Sequence, residues 1–236
     1  MEPTEHNRKA WDEIHRRRTE AMAGQLGIPD GIRELLPDVN GKHVLHLQCA
    51  TGESTAELVE LGALVSAVDI SAEALEIARE RAPDVAYVHA DVHDLPLELR
   101  RGRFDLVYSG GGVFSWLHDL DAWAHGIGAA LKPGGILLVY DNHPLALCVD
   151  PLGHWREDYF DESLQVSTGW VHFELTGEAA TEQKHERNWR LGQIVDAVAG
   201  AGLRLKSLVE FQTLYDWLQR DRRVPWEFAL LTEKEE

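Results

Sequence analysis

The sequence predicts an α/β fold with a doubly wound, largely parallel sheet. Short apolar runs of strand length alternate with helical patterns along residues 44–140, the arrangement from which parallel sheets are built. The first run, Val44 to Cys49, enters the tight turn Thr51-Gly52 and then a helical segment. In such folds helices cover both faces of the sheet, so ligands bind in the crevice outside the carboxyl ends of the strands.

The element boundaries follow from the apolar periodicities and from the positions of glycine and proline. We expect strands at residues 44–49, 64–68, 85–89, 104–109, 136–140, 203–211 and 226–231. We expect helices at residues 7–23, 56–61, 72–81, 120–131 and 188–201. Ser54 or Thr55 is the predicted N-cap of the helix at 56–61, because either hydroxyl can accept a hydrogen bond from the first backbone N–H groups.

Length and composition indicate a single domain that covers residues 1–236. Of the 236 residues, 44% are hydrophobic, which is enough for a large core. There is no run of eighteen apolar residues and no leader-like N-terminus, so we expect a cytoplasmic protein that does not enter a membrane. Cys49 and Cys148 are far apart in sequence, which disfavours a disulfide framework or a structural zinc site. The formal charge of −17 disfavours nucleic-acid partners, whose binding depends on lysine and arginine.

An acid follows the second predicted strand, where a nucleoside would bind. Asp69 lies seventeen residues after Gly52. In a strand–loop–helix–strand unit this spacing places the carboxylate beside the first loop, where it can accept hydrogen bonds from two ribose hydroxyls. The loop also delivers the chain to a helix N-terminus with outward-facing backbone N–H groups. Both features predict a ligand at the carboxyl end of the first strand.

The stretch V-L-H-L-Q-C-A-T-G at residues 44–52 resembles the first motif of class I S-adenosylmethionine-dependent methyltransferases, which usually reads V-L-D-L-G-C-G-T-G. The L-K-P-G-G turn at residues 131–135 is a second hallmark of that family. His46 stands in place of an acid, and Gln48 and Ala50 replace two glycines; this H-L-Q-C variant is similar to a branch of largely small-molecule methyltransferases. The resemblance implies a Rossmann-like, seven-stranded sheet with a reversed last strand. It also implies S-adenosyl-L-methionine as cofactor and methyl transfer to oxygen or nitrogen of a small-molecule acceptor.

The resemblance further implies which residues bind the cofactor. Asp69 would hold the ribose, Asp91 would meet the adenine amino group with the backbone of Val92 at the ring, and an N-terminal helix carrying Asn7 and Trp11 would close over the site. Glycines after the fourth strand would let the backbone approach the sulfonium. The predicted cofactor-binding residues are Trp11, His46, Gln48, Cys49, Ala50, Thr51, Gly52, Asp69, Ile70, Asp91, Val92, Ser109, Gly110 and Gly111.

The methyl acceptor is expected beneath two covering segments. Residues 1–36 would form an N-terminal helical cap, and residues 142–183, which interrupt the strand–helix alternation, would form an inserted aromatic segment after the fifth strand. His143 directly follows that strand and is the first candidate general base, because imidazole titrates in a suitable range; a hydrogen-bonded structural histidine is the alternative. The predicted acceptor-site residues are His118, Trp155, Tyr159, Trp170 and His172.

Three further questions bear on the function. No metal is expected, because the Asp and His residues near the fifth strand lack the spacing of a helical metal motif. A binding protein that keeps the nucleoside pocket without turnover is the alternative function, motivated by the altered first motif. A nicotinamide-dependent oxidoreductase is less favoured, because its G-x-G-x-x-G fingerprint requires small residues at Gln48, Ala50 and Glu53, and only one of them is small. A monomer or a homodimer would suit the predicted enzyme.

Overall fold

The computed structural model describes residues 2–17, 27–170 and 179–235. Its strands and helices follow the order that the sequence predicts, with boundaries that differ by a few residues. The strands are β1 (His43–Leu47), β2 (Leu64–Asp69), β3 (Ala86–His89), β4 (Phe104–Gly110), β5 (Leu131–Asn142), β6 (Gln165–Thr168), β7 (Gln183–Glu186), β8 (Leu203–Phe211) and β9 (Glu227–Lys234). The helices are α1 (Pro3–Arg17), α2 (Asp30–Arg33), α3 (Glu53–Glu60), α4 (Ala72–Arg81), α5 (Leu120–Ala130) and α6 (Leu191–Gly200).

Seven of these strands form one sheet in the order β3-β2-β1-β4-β5-β9-β8. The first five pair in parallel, whereas β9 lies between β5 and β8 and runs antiparallel to both. The prediction of a largely parallel seven-stranded sheet with a reversed last strand is therefore confirmed. The strand order reverses between β1 and β4, and in sheets of this kind the ligand crevice opens at that point.

Alternation along the strands separates two apolar layers, one on each face of the sheet. In β1, Leu45 and Leu47 face the layer that contains the fully buried Trp123, while Val44 faces the layer that contains Tyr108. His46 shares the parity of Val44, because successive side chains of a strand point to opposite faces. The register of β1 thus directs the imidazole of His46 toward the Tyr108 layer.

Two local predictions were wrong in detail. The N-cap of α3 is Gly52, with φ +80°, and the predicted caps Ser54 and Thr55 lie within the first turn of the helix. A Cβ on Gly52 would stand 2.9 Å from Cβ of Ala78 on α4, so close packing and a left-handed backbone both require glycine there. The predicted turn at residues 132–135 is part of β5, where pairing with β4 shifts register between Leu131 and Ile136.

The segment after β5 forms a separate two-stranded antiparallel hairpin of β6 and β7. We expected strands within residues 167–176; β6 begins slightly earlier, and residues 171–178, which include His172, lie outside the described residues. Helix α1 packs between this hairpin and α4. The inserted segment therefore meets the sheet domain through the N-terminal helix.

Candidate functional site

A cavity opens at the carboxyl ends of β1, β2, β4 and β5. The space within it, including the part open to solvent, is about 1080 Å³. It is lined by Thr4, Asn7, Trp11, His15, Gly27, His46, Gln48, Cys49, Ala50, Glu53, Ser54, Asp69, Ile70, Asp91, Val92, His93, Gly110, Gly111, Gly112, Val113, Trp116, Leu117, Tyr140 and Tyr215. Eleven of the fourteen predicted cofactor-binding residues are in this lining.

The first loop keeps a left-handed backbone without the family's glycines. Gln48 has φ 53° and Ala50 has φ 47°, conformations that cost a residue with a Cβ roughly 1–2 kcal/mol. Gln48 offsets part of this cost, since its Nε2 donates to the carbonyl of Val113 at 3.1 Å and its Oε1 accepts from Ser109 Oγ at 3.2 Å. The departures from the usual motif therefore leave the loop conformation that glycines would adopt.

Asp69 lies at the end of β2 with both carboxylate oxygens engaged by backbone. Its Oδ2 accepts from the N–H of Ala50 at 2.8 Å and its Oδ1 accepts from the N–H of Ser71 at 2.8 Å. Burial raises the pKa of this carboxyl, and the backbone donors oppose the shift. Each oxygen keeps a second lone pair, so the carboxylate can both fix the first loop and accept from a diol.

Asp91 begins the short 3-10 turn Val92–Asp94 and caps it. Its Oδ1 accepts from the backbone N–H of His93 at 2.9 Å and lies 2.6 Å from Nδ1 of the same residue. Although burial alone would raise it, the pKa of Asp91 is lowered by these hydrogen bonds. The structure thus brings an ionised carboxylate from the end of β3 to the same cavity as Asp69.

His46 borders the cavity from within the protein core. It is 3% exposed, and its Nδ1 lies 2.8 Å from Thr55 Oγ1 on α3. Burial lowers its pKa to about 3. The imidazole is therefore neutral at any ordinary pH and can contribute to the cavity only as an uncharged group.

Two tyrosine rings line the same cavity as Asp69 and Asp91. Tyr140, at the end of β5, is 4% exposed, and Tyr215 reaches the cavity from the connection between β8 and β9. Burial raises the pKa of Tyr215 to about 12 and raises that of Tyr140 well above its usual value, so both hydroxyls stay protonated. A Cβ on Gly110 would lie 2.2 Å from the Tyr140 ring, so this glycine makes room for a tyrosine as well as for a ligand.

Asp141 holds the loop after β4 in place by hydrogen bonds to its backbone. One oxygen of this buried carboxylate accepts from the backbone N–H groups of Val113 and Phe114, at 2.7 Å each, and the other accepts from that of Asn142. Burial nevertheless raises the pKa of Asp141 to about 6. Asp141 therefore shapes the cavity wall through backbone hydrogen bonds.

Helix α1 covers the cavity and is bound at both sides. Asp12 accepts from Ser71 Oγ at 2.8 Å near the start of α4, and Glu13 accepts from the backbone N–H groups of Thr181 and Glu182 before β7. Trp11, which precedes these two acids, lines the cavity. Its ring contacts those of His15, Trp116 and Trp170.

Asn7 joins the same helix to the hairpin through its side-chain amide. Its Oδ1 accepts from the N–H of His185 and its Nδ2 donates to the carbonyl of His185, both at 2.7 Å. The amide nitrogen also lies 3.1 Å from Nε2 of His118. The side chain of Asn7 thus connects the N-terminal helix by hydrogen bonds to the β7 backbone and to the loop before α5.

Three predicted cofactor residues stand behind the cavity wall. Ser109 donates to the carbonyl of Leu47 and to Gln48, while Thr51 donates to Glu53 and Gly52 begins α3. They shape the first loop and do not line the cavity.

Of the predicted acceptor-site residues that the structure describes, none lines the cavity, and neither does the base candidate His143. His143 is 6% exposed, with Nε2 3.0 Å from Glu210 Oε1 on β8 and its ring edge-on to Phe228. Pro144 follows it, and the chain then enters the short 3-10 helix Ala146–Cys148. The geometry therefore does not support His143 as a general base.

The remaining members of that set lie further out or support the cover. Trp155 is 60% exposed, and the Tyr159 hydroxyl accepts from the N–H of Leu191 on α6. Trp170 packs on the outer side of Trp11, and His118 binds Asn7, so both support the covering helix without lining the cavity.

Sequence reasoning missed several lining residues that come from distant parts of the chain. His93 follows the predicted Asp91 by two residues, and Tyr140 is the last residue of a predicted strand. Both could have been found by including every polar or aromatic side chain near the carboxyl end of a predicted strand. No sequence signal pointed to Tyr215, because only the path of the β8–β9 connection brings it to the cavity. Within the described ranges, no three His, Cys, Asp or Glu side chains are placed to hold a metal ion, and no helix there is long and apolar enough to cross a membrane.

Two carboxylates, from the ends of β2 and β3, lie in one cavity beside a left-handed loop and a helix N-terminus. The fold and the site therefore define an α/β protein with a crevice that suits a ribose-containing cofactor. Residues 44–135 match the family model described as "Methyltransferase domain". A trans-aconitate 2-methyltransferase of Azoarcus sp. is 30% identical over 184 residues, which cover 71% of this chain and 71% of that protein. The chain belongs to the class I S-adenosylmethionine-dependent methyltransferases, with S-adenosyl-L-methionine as cofactor.

Two further similarities agree with this family. An uncharacterized methyltransferase of Synechocystis sp. is 36% identical over 104 residues, 44% of this chain and 48% of that protein. The chain spans about half the length of several such curated relatives. The crystal structure of an S-adenosylmethionine-dependent methyltransferase from Mesorhizobium loti superposes with a TM-score of 0.67 at 25% identity, covering 86% of this chain and 96% of that one.

Proposed function

We propose that this enzyme transfers the methyl group of S-adenosylmethionine to oxygen or nitrogen of a small molecule. One observation carries the proposal. The same cavity is lined by Asp69 and Asp91, which suit a nucleoside cofactor, and by the rings of Tyr140 and Tyr215, which provide apolar surface and hydroxyl groups for an acceptor beside it. The name of the Azoarcus relative, which acts on trans-aconitate, supports an acceptor of this size class.

The lining chemistry fits the cofactor. Asp69 offers carboxylate lone pairs for a ribose diol, Asp91 offers an acceptor for an adenine amino group, and the left-handed loop at Gln48–Ala50 lies at the end of β1 where the methionine portion would bind. When bound, S-adenosylmethionine supplies a methyl group on a positively charged sulfur. The residues of this chain would then orient the acceptor in line with that methyl group and exclude water.

The residues that line the cavity are suited to position the acceptor and not to remove its proton. Tyr140 and Tyr215 are kept protonated by burial, so they can donate hydrogen bonds to an acceptor but cannot remove its proton at neutral pH. His46 is a poor base, because its pKa is about 3. The tyrosines are thus proposed to orient the acceptor.

The covering role of the two outer segments belongs to the same proposal. Residues 1–36 would act as a cap through α1, and residues 142–183 would hold that cap in place through Trp170 and the hairpin. This arrangement gives the inserted segment an indirect role at the acceptor site. A cytoplasmic location and a monomeric or homodimeric state stay predictions from the sequence.

The test uses S-adenosylmethionine labelled with tritium in the methyl group and a protein-free metabolite extract. After reaction, ultrafiltration separates small molecules from macromolecules, and chromatography separates unreacted S-adenosylmethionine from any other labelled compound in the filtrate. S-adenosylhomocysteine is quantified in parallel. The control protein carries Asp69→Ala and Asp91→Ala together, which removes both cofactor carboxylates while leaving the acceptor wall intact.

The expected result is a labelled small molecule other than S-adenosylmethionine in the filtrate, with a matching amount of S-adenosylhomocysteine, and neither product from the control protein. Label retained with macromolecules would contradict a small-molecule acceptor. Calorimetric binding of S-adenosylhomocysteine without any methyl transfer would instead favour the binding-protein alternative.

A further inference from the structure

Asp91 is held by His93 through one carboxylate oxygen. The backbone N–H of His93 donates to Oδ1 at 2.9 Å, and the imidazole Nδ1 lies 2.6 Å from the same atom. In the described part of the chain Oδ2 takes no hydrogen bond, and Asp91 lines the cavity. The carboxylate is therefore anchored at one oxygen and offers the other to a ligand.

The partners of His93 also fix its tautomer. Its Nε2 accepts from the backbone N–H of His118 at 3.1 Å, so this nitrogen carries no proton. The proton therefore resides on Nδ1 and is donated to Asp91. The ring of His118 stacks on that of His93 at 6.3 Å and is tied to Asn7 of α1, so the imidazole is held from its far side as well.

We infer that His93 is a positioning residue that makes the cofactor site selective for adenine over hypoxanthine. The inference rests on the proposed cofactor site and extends it to the choice of base. Both donors of His93 require an acceptor on the Asp91 atom that they face, so the carboxylate cannot rotate. Its remaining oxygen is then directed at the 6-position of the base, where adenine presents an N–H₂ donor and hypoxanthine presents a carbonyl oxygen.

A mobile carboxylate would lack this selectivity. Hypoxanthine carries a proton on N1, next to the carbonyl, and a carboxylate free to swing could accept that proton and tolerate either base. A fixed oxygen facing a carbonyl is instead repelled, and loss of a charge-assisted hydrogen bond corresponds to about 10- to 100-fold in affinity. Selectivity therefore depends on the anchoring of Asp91 and not only on its charge.

The test compares two ligands by calorimetry: S-adenosylhomocysteine and S-inosylhomocysteine, in which hypoxanthine replaces adenine. The wild-type protein should bind the inosyl ligand at least about tenfold more weakly. Asp91→Asn should invert the preference, because His93 holds the amide oxygen and the amide N–H₂ is left to face the carbonyl of hypoxanthine. Adding His93→Gln to Asp91→Asn should weaken the inversion, because only the backbone N–H of residue 93 then requires the amide oxygen at that position.

The matched control is His125→Gln, a histidine on the exposed side of α5 whose Nδ1 lies 2.7 Å from the carbonyl of Asp121. It should leave the ligand preference at the wild-type value. All proteins are first checked for a cooperative thermal transition, and the Asp91→Asn result decides the question alone if the double variant does not fold.

Three results would overturn the inference: equal binding of the two ligands by the wild-type protein, a retained adenine preference in Asp91→Asn, or an inversion of undiminished size in the double variant. Failure of the wild-type protein to bind S-adenosylhomocysteine at all would instead refute the cofactor site itself.

Discussion

Replacing Asp69 by asparagine tests how much of the cofactor site depends on one carboxylate. The two oxygens of Asp69 accept from two different backbone N–H groups, those of Ala50 and Ser71, at 2.8 Å each. An amide has only one oxygen, so whichever way it turns, its N–H₂ faces one of these donors. One buried N–H then loses its partner, which costs about 1–3 kcal/mol of folding stability.

The same change should also weaken cofactor binding. The ribose hydroxyls lose a charged acceptor, and the first loop loses the anchor that holds Ala50 in its left-handed conformation. Loss of one charge-assisted hydrogen bond amounts to about 1.5–3 kcal/mol, so the dissociation constant for S-adenosylhomocysteine should rise at least about tenfold. Urea denaturation without ligand measures the first effect, and titration calorimetry measures the second.

Asp119→Asn provides a matched control. Asp119 caps α5 by accepting from the N–H of Ala122 at 2.9 Å through one oxygen, and asparagine is an equally good N-cap. The identical chemical change should therefore cost little stability there. Equal stability of the Asp69→Asn and wild-type proteins, or unchanged affinity in a folded Asp69→Asn protein, would refute this account of the site.

Three further outcomes are expected. Ala50→Gly relieves a left-handed backbone and should leave stability equal or up to about 1 kcal/mol higher. Gln48→Gly relieves the same strain but loses two side-chain hydrogen bonds, so it should be less stable than Ala50→Gly by about 1–2 kcal/mol. Urea denaturation of both proteins compares them, and equal stabilities would contradict the role given to the amide. Because His46 stays neutral down to about pH 3 in the folded state while the unfolded chain takes up its proton near pH 6.5, stability should fall by about 1.4 kcal/mol per pH unit between pH 6 and 4 from this residue. His46→Asn should flatten that slope, and an unchanged slope in the variant would assign the loss to other groups. His143→Ala should lower the melting temperature but leave kcat near the wild-type value, since the ring is buried against β8 and β9 outside the cavity; a large fall in kcat with an intact fold would restore it as a base candidate.

The sequence by itself determined the sheet and the nucleoside end of the cavity. Strand and helix lengths, the apolar periods and the spacing of Gly52 and Asp69 are local properties, because a period of two or 3.6 and a strand-end acid are readable in short windows. Since parallel strands place their carboxyl ends at one edge of the sheet, Asp69 and Asp91 necessarily meet there.

Only the tertiary structure decided the acceptor end and the chemical state of its groups. His46 and His143 look alike as histidines near strand ends, yet burial keeps His46 neutral beside the cavity, while His143 is buried next to Glu210 of β8 and does not line the cavity. Tyr215 lines the cavity from a connection more than 160 residues after the first motif. Such groupings depend on how distant segments pack and on desolvation, and neither quantity is encoded in the spacing of neighbouring residues.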